Sequence, residues 1–396
     1  MASLFKQIGA ISALNLRSIP QRGMMAVASV VAVALTIAVL LFFLALSNGL
    51  ARTVNGSGSD DVVFVIREGS NAELNSVVSR DQLNILASGP NVIHRNNQPV
   101  ASGELLVIVN GVKRSSGTNA NMPFRGIGPE GLSLRPGVHI TQGRMFRPGT
   151  NEIVVGAGLL REFAGFEYGR TIRLRGTTWQ VVGVFEAPGT VFESELWADI
   201  AVAQSLFNRP NVFQTMRVKL SSAAAMAGYK RWAHADPRLR GLDIHSEREY
   251  YGEQARQNAG PLVAIGGVLG ILMAIGALAG ALNTMYASVA ARSSEIATLR
   301  IIGFSGWAAF FGTMVEALAL SAIGGVIGIL LAILAFNGRT TSTLGSGFTQ
   351  LVFKFDVSPT LVVAAVILAM IIGFVGGFFP GIRAARTRPQ LELAAQ

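Results

Sequence analysis

The chain has 396 residues, half of them hydrophobic and only 14% charged, against about 25% charged in an average soluble chain. With a positive mean hydropathy, that deficit places the chain in the membrane class, at a length that allows several domains. Its net charge of +10 does not point to nucleic acid, because the basic residues are scattered with no interleaved aromatic platform, and the lack of cysteine excludes a disulfide framework and a thiolate metal site.

A membrane-spanning helix needs roughly 20 mainly apolar residues. Residues 1–23 carry Lys6, Arg17 and Arg22 and no acid, and are assigned to the cytoplasm. The first span follows at 24–49, uncharged from Met24 to Ser47. Ala45-Leu46-Ser47 faintly resembles a signal-peptidase site, but the apolar stretch far exceeds a signal core, so the helix is expected to be retained. Residues 50–257 form a large extracytoplasmic segment, and the second span covers 258–287 inside an uncharged run from Asn258 to Ala291. A short loop at 288–306 holds Arg292 and Arg300 against Glu295. The third span, 307–336, contains one charge, Glu316. A short outer loop at 337–359 leads to the last span at 360–382, and a tail at 383–396 carries Arg383, Arg386 and Arg388 against Glu392. The concentration of Lys and Arg in the N-terminal segment, the 288–306 loop and the tail predicts that both termini are cytoplasmic. Glycines four apart (Gly276 and Gly280, Gly324 and Gly328, Gly373 and Gly377) suit close helix packing, within one subunit or against a second copy.

The outer segment reads as a split α/β lobe, 50–112 and 212–247, with a turn- and strand-rich insert at 113–211 and a stalk at 248–257 entering the second span. Asp61 to Arg67, Glu104 to Val109, Thr215 to Leu220 and Gly241 to His245 are strand candidates; Arg80 to Ala87 and Ser222 to Ala233 are helix candidates. Strict alternation in Thr171-Ile172-Arg173-Leu174-Arg175, a turn at Gly176-Thr177 and a strand from Trp179 to Phe185 predict a hairpin. Asn119 to Pro136 and Ala187 to Glu195 read as loops.

The chain lacks the marks of a catalytic subunit. It contains no P-loop sequence for ATP. Gly156-Ala157-Gly158 lacks the third glycine of a dinucleotide turn, since Arg161 stands in its place. His94, His139, His234 and His245 show no ligand spacing. Glu193, Glu195 and Asp199 read as a solvated edge rather than an acid–base pair.

Two elements carry the candidate sites. In the cytoplasmic loop, a short helix would put Arg292 and Glu295 on one face, Ile296 and Leu299 in an apolar patch beside it, and Gly303 at its end. Such a helix can dock in a groove on a soluble partner, or it can be a solvated loop with an ordinary ion pair. Glu316, about ten residues inside its span, is expected to hydrogen-bond between helices, with no second intramembrane charge to form a relay. The tail arginines read as topology anchors, or as contacts for a partner or for anionic lipid.

Several motifs resemble one family. The run from Ala290 to Gly303 (AARSSEIATLRIIG) looks like the coupling segment of MacB/FtsX-type, or type VII, ABC transporter permeases, with Ala297 where a Gly is usual. The tail from Pro380 to Pro389 (PGIRAARTRP) resembles the family's ending, with Gly381 where Ala is commoner. Gly143-Arg144, Glu152 to Gly156, Gly169 and Val181-Val182-Gly183-Val184 resemble its outer domain, and Glu316-Ala317 with Gly324-Gly325 its third span. The resemblance implies an α-helical membrane protein with four transmembrane helices and a large α/β extracytoplasmic domain between helices 1 and 2. It implies a non-catalytic permease pairing with a second copy or a homologue. A separate ABC ATPase subunit would bind the ATP and Mg, so the permease itself would hold no cofactor. Arg292, Glu295, Ile296, Leu299, Arg300 and Gly303 would couple to that ATPase. Export with a periplasmic adaptor and outer-membrane channel, an FtsX-like scaffold activating a cell-wall hydrolase, and Lol-like lipoprotein extraction all share this architecture. FtsX-type outer domains tend to be smaller than this one, which favours the first.

Overall fold

A computed structural model describes residues 4–344 and 350–387. The chain begins with helices α1 (Leu4–Ser18) and α2 (Gly23–Asn55). The outer domain follows: β1 (Val62–Arg67), α3 (Arg80–Ala87), β2 (Ala101–Val112), β3 (Asn119–Ile127), β4 (His139–Gly143), β5 (Glu152–Gly156), α4 (Ala157–Glu162), β6 (Thr171–Leu174), β7 (Thr177–Glu186), β8 (Leu196–Asp199), α5 (Ile200–Leu206), β9 (Thr215–Lys219), α6 (Met226–Ala235) and β10 (Leu242–Ser246). Next come α7 (Glu247–Ala291), α8 (Ser293–Ile301), α9 (Gly306–Phe336), the strands β11 (Thr340–Leu344) and β12 (Gln350–Lys354), and α10 (Pro359–Arg386). Two compact units result, one of Met1–Asn48, Pro261–Gly338 and Phe355–Gln396, the other of Gly49–Gly260 and Arg339–Lys354.

Among the described residues, α2, α7, α9 and α10 are long and apolar enough to cross a membrane. Within the first unit they pack through small and branched side chains: Val33, Ile37 and Leu41 of α2 meet Ala277, Ile329, Ala332, Ala365, Ala369 and Ile372. The glycine pairs divide. A Cβ on Gly324 or Gly328 would strike the backbone of α2, and one on Gly373 or Gly377 would strike α9, whereas Gly276 and Gly280 border open space. The N-terminal segment is not an extended lead-in: α1 lies along α9, with Ile11 and Asn15 filling the room that Gly312 leaves.

The second unit is built on a ten-stranded mixed sheet in the order β10-β1-β9-β2-β3-β8-β5-β7-β4, with β6 pairing to β7. The lobe and the insert are therefore one sheet. Twelve-residue β2 spans both, pairing with β9 at its start and with β3 along the rest. β1 is apolar at both alternations because both its faces are covered: Val63 and Val65 face a core with Leu86 of α3 and Tyr229 of α6, while Phe64 stacks on Tyr250 of α7 at 4.1 Å between centroids. The core under the insert gathers Leu105, Phe124, Ile153, Trp179 and Leu196.

The 171–185 hairpin forms as the alternation predicts, but its turn falls on Arg175 and Gly176, which both have positive φ, one residue earlier than expected. Asn119–Ile127, expected as a loop, is strand β3. Its Asn, Pro and Gly residues resemble turn chemistry, yet it pairs antiparallel with β2 and parallel with β8. The 337–359 loop contains the β11–β12 hairpin, which belongs to the outer domain's unit: Lys113 Nζ donates to Ser342 Oγ at 3.0 Å, Ser342 Oγ to Glu162 at 2.7 Å, and the Val352 amide to Ser194 Oγ at 2.9 Å.

Candidate functional site

The first candidate is α8, nine residues between α7 and α9. It closes in a paired C-terminal cap: the Gly303 amide donates to the Arg300 carbonyl and the Phe304 amide to the Leu299 carbonyl, with Gly303 at φ +99°. Its faces differ from the sequence expectation. Arg292 is the N-cap residue of α8 and turns inward, while Glu295 is exposed, and no ion pair joins them among the described residues. Its guanidinium is buried and donates to Glu316 Oε2 at 2.7 Å and to Asn15 Oδ1 at 2.5 Å, while Ser288 Oγ donates to Glu316 Oε1 at 3.2 Å. Glu316 thus ties helices together as expected, but with a charged partner that the sequence reading had placed in the loop. The two residues lie 24 positions apart in the chain, and only the antiparallel return of α9 brings them together.

Ile296 packs inward against Val289, Ala309 and Ala384. Leu299 lines a narrow cleft together with Leu14 of α1. Arg300 donates to the Ala385 carbonyl in the last turn of α10, where a cation also suits the negative end of the helix dipole. The side chains exposed on α8 and just after it are Glu295, Thr298, Ile301 and Ile302; Glu295, Thr298 and Ile302 follow i, i+3, i+7 spacing and form one stripe. Sequence reasoning missed Asn15, Ser288 and Leu14. No signal in residues 1–23 beyond an amphipathic pattern could have paired them with the loop. In the tail, Arg383 lies over the Tyr286 ring at 5.8 Å, Arg386 is exposed, and Arg388 lies outside the described residues.

The second candidate is a buried charge cluster where α7 begins. Arg125 forks onto both oxygens of Glu195 at 2.7 Å and also reaches Glu73 at 2.8 Å and Glu104 at 2.9 Å. Arg217 donates to Glu247 at 2.8 Å, Glu73 at 3.1 Å and the Tyr251 hydroxyl at 3.0 Å, and also to Glu104. Arg135 donates to Glu104 at 2.7 Å and lies 4.6 Å from the Phe192 ring centroid. Trp197 Nε1 donates to Glu195 at 2.7 Å.

All three arginines and all four glutamates are buried. Burial alone would raise the Glu104 pKa, but Arg135, Arg217 and Arg125 around it overcome that and hold it at about 2. Glu195 and Asp199 are therefore not a solvated edge. Glu195 belongs to this cluster, and Asp199 caps α5 by accepting from the Ala201 and Val202 amides. The close Gly156–Gly158 spacing has a packing cause, because both residues abut the backbone of Glu193. The cluster joins β2 and β9 of the lobe, β3 and β8 of the insert, and the first turns of α7, the helix that continues into the second span.

Comparison with known proteins matches the MacB-like periplasmic core domain over residues 26–233 and the FtsX-like permease C-terminal over residues 267–389. The chain is 27% identical over 239 residues to the macrolide export ATP-binding/permease protein MacB of Hahella chejuensis, covering 58% of this chain and 35% of that protein. It is 34% identical over 129 residues to the MacB of Nitrobacter winogradskyi, covering 32% and 18%. The periplasmic region of MacB from Actinobacillus actinomycetemcomitans superimposes with a TM-score of 0.37 at 12% identity, covering 53% of this chain and 98% of that one. The chain thus spans about a third or less of the length of these curated relatives. One family model accounts for more than half the residues and a second for the spans that follow, so the chain belongs to the MacB/FtsX-type family of ABC transporter permeases.

Proposed function

We propose that this chain is the inner-membrane permease of an exporter, passing the work of ATP hydrolysis in a separate ABC ATPase to its extracytoplasmic domain. ATP and Mg would bind the ATPase and no cofactor would bind the permease. The permease would work as a dimer with a second copy or a homologue, both termini in the cytoplasm, and hand substrate to a periplasmic adaptor and outer-membrane channel. The observation that carries this reading is α8. It is a capped helix between two spans that exposes Glu295, Thr298 and Ile302 in one stripe, while its other faces are tied to α1, α9 and α10. A helix so braced transmits a push on its free face to three neighbours.

The buried cluster at the start of α7 supports the other end of the route. A stalk whose first turn is ion-paired through Glu247 to Arg217, inside a cluster that also binds the insert, moves with the sheet. The test is co-purification of the ATPase with a tagged full-length chain from gently solubilised native membranes. Glu295→Ala combined with Ile302→Ala should weaken ATPase binding by about thirtyfold, on the order of 1 kcal/mol for each of the two interface contacts removed, with insertion and thermal stability unchanged. Equal recovery would discard α8 as the docking element. A cell-wall hydrolase or its activator in place of an adaptor would favour the FtsX-like reading.

A further inference from the structure

We propose that the cleft between the start of α9 and the end of α10 is a binding site for one anionic phospholipid. The cleft has a volume of about 400 Å³ and is walled by Trp307, Phe310, Phe378, Ile382 and Arg386. The inference rests on α9 and α10 spanning the membrane, and on nothing assumed about the ATPase.

The chemistry of the walls selects the occupant. Phe378, Ile382 and Arg386 are spaced four apart along α10, so they line one face that runs from apolar to cationic toward the helix end. Opposite them, Trp307 and Phe310 occupy the first two turns of α9, with Phe310 and Phe378 edge to face at 5.9 Å. Exposed Phe311, Phe374 and Phe379 surround the apolar end, so the cleft opens onto a surface made for hydrocarbon. At the polar end, Arg386 is exposed, and Arg300 reaches the Ala385 carbonyl beside Gly306. Among the described residues, neither arginine has a carboxylate partner. A ligand that fills this cleft must be apolar along one end and negative at the other. An acyl chain on Phe378 and Ile382 with its phosphate at Arg386 meets both demands. A basic pocket between helix ends at the membrane surface is favourable for an anionic headgroup, and an interfacial tryptophan suits the same depth.

The chain itself supplies a probe. Of its four tryptophans, Trp179, Trp197 and Trp232 lie in the outer domain and only Trp307 lies in the membrane unit. The full chain is reconstituted into phosphatidylcholine vesicles containing phosphatidylglycerol or phosphatidylcholine brominated in the acyl chain, at matched mole fractions. Brominated phosphatidylglycerol should quench Trp307 with about fivefold preference at low salt, declining as salt screens the headgroup. Arg386→Gln should bring the two lipids to parity, and Arg386→Lys should keep most of the preference. Parity in the unaltered chain would overturn the site, as would a preference that survives Arg386→Gln. A preference that emerges only when residues beyond Thr387 are deleted would mean the chain's own tail fills the cleft, and would also overturn it.

Discussion

At the scale of single residues, Glu104 is the most consequential side chain in the outer domain, because one of its oxygens accepts from Arg125, Arg135 and Arg217. Its pKa of about 2 lies below its ordinary 4.5, so the folded state binds fewer protons than the unfolded state between those values. Glu104 therefore contributes stability in full above pH 4.5, and loses it as pH falls through that window toward 2. Glu104→Gln should destabilise the domain at neutral pH by about 3–5 kcal/mol, because it takes from buried Arg135 the one carboxylate it meets among the described residues, and removes one of several from Arg125 and Arg217. It should also flatten the acid limb of stability between pH 4.5 and 2. Thermal melts of the full chain, followed by Trp197 emission beside Glu195, test both. An acid limb of unaltered slope in the variant would show that Glu104 is not the titrating group. The sequence holds a faint sign of this cluster: Arg217 stands between Met216 and Val218 in a strand otherwise read as apolar on one face. The sign does not say which carboxylates answer it, since Glu73, Glu104, Glu195 and Glu247 are scattered over the whole domain. A charged residue inside a strand reads equally well as a solvent-facing one.

At the scale of elements, the cap on α8 sets where the helix stops and where Ile301 and Ile302 point. Gly303 has φ +99°, a conformation that costs an L side chain roughly 1–2 kcal/mol. Gly303→Ala should therefore fray the last turn. The amides of Arg300 to Phe304 should exchange hydrogen several-fold faster, and ATPase recovery should fall while α9 is unaffected. Unchanged exchange would mean that the surrounding helices, rather than the cap, hold the turn. Elements with local signals were legible in advance. α3 carries its capping box at Ser79 and Gln82, and β6 and β7 carry strict alternation. β3 was not legible, because its strand identity comes from partners on either side rather than from its own composition. The inward face of α8 was equally hidden. An apolar patch on a short helix looks the same whether it meets a partner protein or, as Ile296 does, the end of α10.

At the scale of the whole molecule, the four spans were legible because twenty apolar residues have few other uses, and the same cannot be said of side. The charge bias of the short loops predicts that the 288–306 loop and the outer domain lie on opposite sides of the membrane. A cysteine introduced at exposed Ser116 should react with a membrane-impermeant maleimide from outside, and one at Ser294 only after permeabilisation, with no native cysteine to confuse the result. Reaction of both from the same side would invert the reading of the route from α8 to the domain. The β11–β12 hairpin could not be assigned to the domain from sequence, since a short loop between spans carries no mark of the distant residues it will pair with.

That hairpin imposes an order on biosynthesis. The outer domain's sheet is complete once β10 has emerged, yet Ser194 and the Lys113–Glu162 ion pair gain their contacts with Val352 and Ser342 only when those residues have been made. Leu351, Val352 and Phe353, all buried in the finished fold, arrive only after α7, α8 and α9 have left the ribosome. The domain is therefore translated early and finished late. Its closing step waits for the third hydrophobic helix, so a nascent chain that fails to thread that helix is left with an open seam that quality control can recognise.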